Sequence, residues 1–133
     1  AAIRVPKYAT KPDHVRFEFR PPDATSNPYL AMAAMLMAGM DGVTRGIDPT
    51  REGFGPINEN IFSWSPEQRA RIKSLPSSLS AALNALESDH DFLTDGGVFS
   101  EDLINNWIQA KRNEDKQVSI RPHPYEIEMY FDL

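Results

Sequence analysis

A chain of 133 residues with 41% hydrophobic content has the length and apolar share of one globular domain with a modest core. Its formal net charge of −5 supplies no extended basic field, which argues against nucleic acid or a membrane surface as a partner and leaves room only for small local anion sites. With no cysteine there is no disulfide framework, thiolate nucleophile or cysteine metal site, a composition that fits a reducing compartment and makes a cytoplasmic location the expectation.

The chain opens Ala1-Ala2-Ile3-Arg4, without a methionine or a capping signal, and is expected to be a piece of something longer. A first extended segment is expected over Ile3 to Val5. In HVRFEFR, residues 14–20, period-two alternation predicts a strand with Val15, Phe17 and Phe19 on one face and His14, Arg16, Glu18 and Arg20 on the other. Pro21-Pro22 must end its ladder, because neither residue has a backbone N–H to donate. Asn27-Pro28 then reads as an N-cap with proline at the first helical position. The helix it starts is apolar on nearly every side until Asp41, so it is expected to be packed on several sides at the centre of the core, with Gly46 and Pro49 marking its exit. Its apolar run, Tyr29 to Met40, is well short of the roughly 20 residues that span a bilayer.

Residues 47–60, rich in Gly, Pro, Asn and Glu, read as a long surface loop of the kind that carries function. Ser65-Pro66-Glu67-Gln68 has the form of a capping box and predicts a short helix. Leu79, Leu83 and Leu86 after Ser77-Ser78, and Leu103, Ile104, Trp107 and Ile108 after Ser100, predict two amphipathic helices separated by turn chemistry at Asp95-Gly96-Gly97. In the final RPHPYEIEMYFDL, the alternation of Tyr125, Ile127, Met129 and Phe131 suggests a strand, and its apolar surface requires a place to dock.

Strand residues at i, i+2 and i+4 stand roughly 7 Å apart on one face, so Arg16, Glu18 and Arg20 converge. On an arbitrary strand such a row is a solvated face of little energetic weight. Here Arg4, on the preceding extended segment, can enlarge a cationic cluster around a hard carboxylate oxygen suited to Mg2+ or Mn2+. A metal-ligating carboxylate among arginines is what phosphoryl transfer needs, since both kinds of cation stabilise phosphate charge. Asp89-His90-Asp91 is expected as a solvated helix end, because consecutive helical residues point apart. His123 is read as structural, and Met32, Met35, Met37 and Met40 as adaptable core packing.

The stretches AAIRVP, VRFEFRPPDATSNPYLAMAAMLMAGMDG, FLTDGGVFSEDLINNWIQAKR and RPHPYEIEMYFDL together resemble the C-terminal part of the catalytic domain of type I glutamine synthetases, over almost the whole chain. The resemblance implies an α+β fragment, residues 1–133, in which a small antiparallel sheet portion packs against several helices and residues 121–133 form a docking tail. It implies an ATP-dependent ligase that makes glutamine from glutamate and ammonium through γ-glutamyl phosphate, as a homo-oligomer of two stacked rings. Carried over by position, Glu18 matches a ligand of the second divalent metal, Mg2+ or Mn2+. Arg20 matches the arginine at the substrate carboxylate and γ-phosphoryl region, Arg16 and Arg4 match arginines at the ATP phosphates, and Arg4 and Arg20 are the catalytic pair.

Two departures stand out. Family members often carry a lysine just upstream of the arginine matched by Arg16, whereas TKPDHV holds one extra residue and sets Lys11, the ATP-binding candidate, out of register. Phe62 stands where some bacterial members have a tyrosine that is adenylylated, so that switch is expected to be absent. The family's tail is often partly helical and inserts into an opposing ring, and that geometry is preferred here to the strand that alternation suggests. Because the family's other metal ligands lie upstream of the matched segment, the isolated chain is expected to be inactive. Alternatives are a related γ-glutamyl-amine ligase and a stand-alone assembly or regulatory module.

Overall fold

The computed structural model describes residues 2–132, which divide into two units, Ala1–Leu75 and Pro76–Leu133. The first carries a two-stranded antiparallel sheet, β1 (Ile3–Arg4) and β2 (Glu18–Phe19), followed by α1 (Pro28–Thr44) and the four-residue α2 (Pro66–Arg69). The second is helical among its described residues: α3 (Leu79–Ser88), α4 (Asp91–Thr94), α5 (Glu101–Ser119) and α6 (Pro124–Tyr130). This is the expected α+β composition.

The ladder is shorter than the alternation suggested. Only Glu18 and Phe19 pair with β1, in the register Ile3 opposite Phe19 and Arg4 opposite Glu18, with one further bond from Arg20 N–H to the Ala2 carbonyl at 2.9 Å. Residues 11–14 fold instead into a turn, in which the Lys11 carbonyl accepts from His14 N–H at 2.8 Å and Val15 N–H at 3.1 Å. After the proline pair, Asp23 accepts from Thr25 N–H and Oγ1, a local side-chain turn that leads the chain toward α1.

The start and stop of α1 are those the sequence chemistry dictates. Asn27 Oδ1 accepts from Tyr29 and Leu30 N–H, and Pro28 costs no bond at the first position. At the other end Gly46, at φ 61°, lets Ile47 N–H reach the Gly42 carbonyl and Gly46 N–H reach that of Val43, a Schellman exit. Its expected burial is not met. No residue of α1 is buried, and Leu36 and Val43 are 66% and 77% exposed. Composition made the helix apolar all round, but the surfaces that could cover it are not supplied within this unit.

In the second unit, α3 packs on α5. Leu83 of α3 and Ile104 and Ile108, one helical turn apart on α5, are buried, as are Leu93 and Phe99 from the connection. The next turn of the same α5 face presents Arg112, which donates to Asn84 and pairs with Glu87 on α3. Gly96 and Gly97, both at positive φ, form the expected turn.

The tail is helical, as the family geometry has it, and not a strand. His123 Nδ1 accepts from Tyr125 N–H while Glu126 returns to His123 N–H, a capping box with Pro124 at the first position. His123 is thus structural, as expected. Among the described residues no helix is long and apolar enough to cross a membrane.

Candidate active site

Antiparallel pairing sets Arg4 directly across from Glu18, and directly opposed residues in such a ladder project from the same face. Arg4 Nη1 lies 3.3 Å from Oε1 and 3.1 Å from Oε2 of Glu18, and Arg20 Nη2 donates to Oε2 at 3.4 Å. Arg16 Nη2 stands 4.0 Å from Oε1, an ion pair without a hydrogen bond. Three guanidiniums therefore surround one carboxylate, and an acidic chain acquires a local positive face.

Hydrogen bonds from Arg4 hold the Glu18 carboxyl below the usual carboxylate range; partial burial opposes this, and the nearby charge of Arg4 and the bond from Arg20 add to it. The Arg4 guanidinium is correspondingly pushed up, chiefly by its bond to Glu18. Exposed ion pairs of this kind contribute little to stability, so the cluster is poorly explained as a fastening. Its chemistry suits an anion better, because planar guanidiniums present paired donors to phosphate or carboxylate oxygens.

Of the residues singled out from sequence, Arg4, Arg16, Glu18 and Arg20 are brought together. Lys11 is not. It lies in the turn between the strands, exposed, and joins no ion pair among the described residues. Alternation missed Tyr8. In the turn closed by Ala9 N–H to the Pro6 carbonyl at 3.2 Å, Tyr8 accepts from Arg16 Nη2 through its hydroxyl at 2.9 Å. Its ring centroid lies 5.8 Å from the Arg4 guanidinium carbon and 5.5 Å from that of Arg16. An aromatic four residues after Arg4 carries no periodic signal; only the path of the turn reveals it.

Glu18 is one carboxylate, and no group of three or more His, Cys, Asp or Glu side chains among the described residues could hold a metal. His90 is not a solvated helix end: its side chain is only 18% exposed, with Nδ1 on the Leu86 carbonyl at 2.8 Å and Nε2 on Glu101 at 3.2 Å. A separate concavity of about 410 Å³, lined by Pro56, Ile57, Glu59, Trp64 and Arg71 among others, shares no residue with the arginine face. Phe62 is 84% exposed on the short 3₁₀ turn Ile61–Ser63.

The family model for the catalytic domain of glutamine synthetase matches residues 1–130. A glutamine synthetase from Nostoc sp. is 55% identical over the whole of this chain, and one from Mycolicibacterium smegmatis is 48% identical, the chain spanning 27% of each. A cryo-EM structure of Plasmodium falciparum glutamine synthetase aligns with 97% of this chain at a TM-score of 0.73 and 28% identity, over 32% of its own length. The chain thus spans about a quarter to a third of the proteins it resembles, and its sequence and its fold both make it a member of the glutamine synthetase catalytic-domain family.

Proposed function

We propose that this chain supplies one wall of the active site of an ATP-dependent ligase that joins glutamate and ammonium into glutamine. The observation that carries the reading is the convergence of Arg4, Arg16 and Arg20 on the Glu18 side chain. In such a reaction a γ-carboxylate oxygen of glutamate attacks the γ-phosphorus of ATP and ADP leaves. Ammonium gives up a proton, and the resulting ammonia attacks the acyl carbon of γ-glutamyl phosphate; phosphate leaves and takes up the proton that the nitrogen sheds. Negative charge shifts onto phosphate oxygens in both steps, and fixed guanidiniums stabilise it without reorganising.

In this reading Arg4 and Arg16 hold the nucleotide's phosphates, and Arg20 holds the glutamate carboxylate and the transferring phosphoryl group. Glu18 fits a divalent cation as one member of a ligand set, since a single carboxylate seldom retains Mg2+ or Mn2+ without phosphate oxygens. When bound, that cation would neutralise phosphate charge. Lys11 is kept as a candidate ATP contact, reached by movement of its turn. The remaining ligands belong to the rest of the protein, so the isolated chain should form no glutamine.

The bare apolar flank of α1 is read as the surface on which the rest of the domain packs. The tail, residues 121–133, is read as a docking element within a homo-oligomer of two stacked rings; Tyr125, Ile127 and Phe131 are all more than half exposed, which supports a partner surface. Deleting residues 125–133 from the full-length protein is expected to weaken ring pairing in sedimentation while leaving the melting of the rest intact. An unchanged oligomer would refute the docking role.

For the site itself, Arg20→Lys in the full-length enzyme retains the charge but loses the planar paired donors. We expect kcat/KM for glutamate to fall at least about tenfold. Kinetics matching the unsubstituted enzyme would remove Arg20 from the site.

A further inference from the structure

An arginine at a phosphate site must be aimed as well as charged, because its long side chain loses considerable rotamer entropy when ordered. Arg16 could satisfy itself cheaply by collapsing onto Glu18, its neighbour two residues away in sequence. It does not: Nη2 is 4.0 Å from Oε1 of Glu18 but 2.9 Å from the Tyr8 hydroxyl, and Nη1 donates to the His14 carbonyl at 3.4 Å. The same phenol ring lies within cation–π reach of both Arg16 and Arg4.

We propose that Tyr8 is a positioning residue, which holds Arg16 off Glu18 and aligns Arg16 and Arg4 toward the phosphates of the nucleotide. This deepens the reading of the arginine face given above and rests on it. Two functions are separable in the side chain. The hydroxyl fixes one end of the Arg16 guanidinium, and the ring offers its face to both arginines. Without the hydroxyl, Arg16 is free to close on Glu18, which uses up a phosphate donor and burdens the carboxylate that a cation needs. The consequence is selective: nucleotide binding should suffer, and the chemistry of a correctly bound nucleotide should not.

The test uses the full-length enzyme and three variants. Tyr8→Phe, which keeps the ring, is expected to raise KM for ATP about three- to tenfold with kcat within about twofold and KM for glutamate unchanged. Tyr8→Leu should raise KM for ATP further. The melting temperature of Tyr8→Phe should match the parent, since the residue is 66% exposed. Arg16→Ala probes the underlying reading and should weaken ATP binding more than either. An unchanged KM for ATP in Tyr8→Phe, alongside a large loss in Arg16→Ala, would overturn the role of Tyr8 and leave the phosphate reading standing. A fall in kcat and melting temperature together with a rise in both KM values would also overturn it, as the mark of a merely structural residue. An Arg16→Ala enzyme that binds ATP normally would refute the phosphate reading and the inference with it.

Discussion

The two units treat apolar sequence in opposite ways. In the second, α5 is mostly polar, yet it buries Ile104 and Ile108 to 3% and 2% exposure where it packs on α3. In the first, α1 is apolar along most of its length and buries nothing, and among the described residues of that unit Pro6 alone is buried. A narrow apolar stripe with a complementary stripe nearby makes a core. A broad apolar surface without one announces that its partner is elsewhere. The proposed site lies in the unit with almost no buried side chain, and the unit with the buried cluster carries the helices that end in the tail.

Matched truncations on the two helices would break or sharpen this contrast. Ile108→Ala removes a side chain from a closed cluster and should destabilise the second unit by about 2–5 kcal/mol, in the isolated chain and in the full-length protein alike. Leu36→Ala on α1 should change the stability of the isolated chain by no more than about 0.5 kcal/mol, but should cost about 2 kcal/mol or more in the full-length protein once that face is covered. Denaturant melts of both variants in both contexts measure the difference. An equal cost of Leu36→Ala in the two contexts would contradict the idea that α1 waits for a partner surface.

A smaller effect separates the units by pH. The Leu86 carbonyl and the Glu101 carboxylate are both acceptors, so His90 satisfies both only when each ring nitrogen carries a proton. Its pKa is raised, chiefly by the bond to the Leu86 carbonyl; burial opposes this in part, and the bond and charge of Glu101 and the charge of Asp91 add to it. A histidine raised on folding contributes stability that is complete below its unfolded value, about 6.5, and is lost as pH rises through the folded value. The second unit should therefore melt at a lower temperature at pH 8 than at pH 5.5, by an increment that His90→Gln abolishes. An identical pH dependence in the variant would show that other groups are responsible.

Much of this was legible beforehand, and the misses have physical causes. Asn27, Ser65 and Ser100 were read correctly as caps because capping depends on a few adjacent residues. The tail was open to the same logic. His123-Pro124-Tyr125-Glu126 has the plan of Ser65-Pro66-Glu67-Gln68, with a cap, a proline and a closing side chain at the third position. The alternation of Tyr125, Ile127 and Met129 pulled the unaided reading toward a strand, and the likeness to the family corrected it. The convergence of Arg16, Glu18 and Arg20 followed from strand period alone, whereas Arg4 needed the register and Tyr8 needed the turn. His90 was misjudged because local spacing cannot show that Glu101, eleven residues away, returns to meet it.

The central claim is that Glu18, set among three arginines, receives a metal-bound nucleotide, and the most direct measurement is turnover against metal concentration in full-length Glu18→Gln. An amide keeps the size and one acceptor oxygen but removes the charge that a hard cation requires. We predict a fall in kcat/KM of at least about a hundredfold, with a raised requirement for magnesium or manganese and a protein that still folds and assembles. Turnover and metal dependence indistinguishable from those of the unsubstituted enzyme would contradict the account.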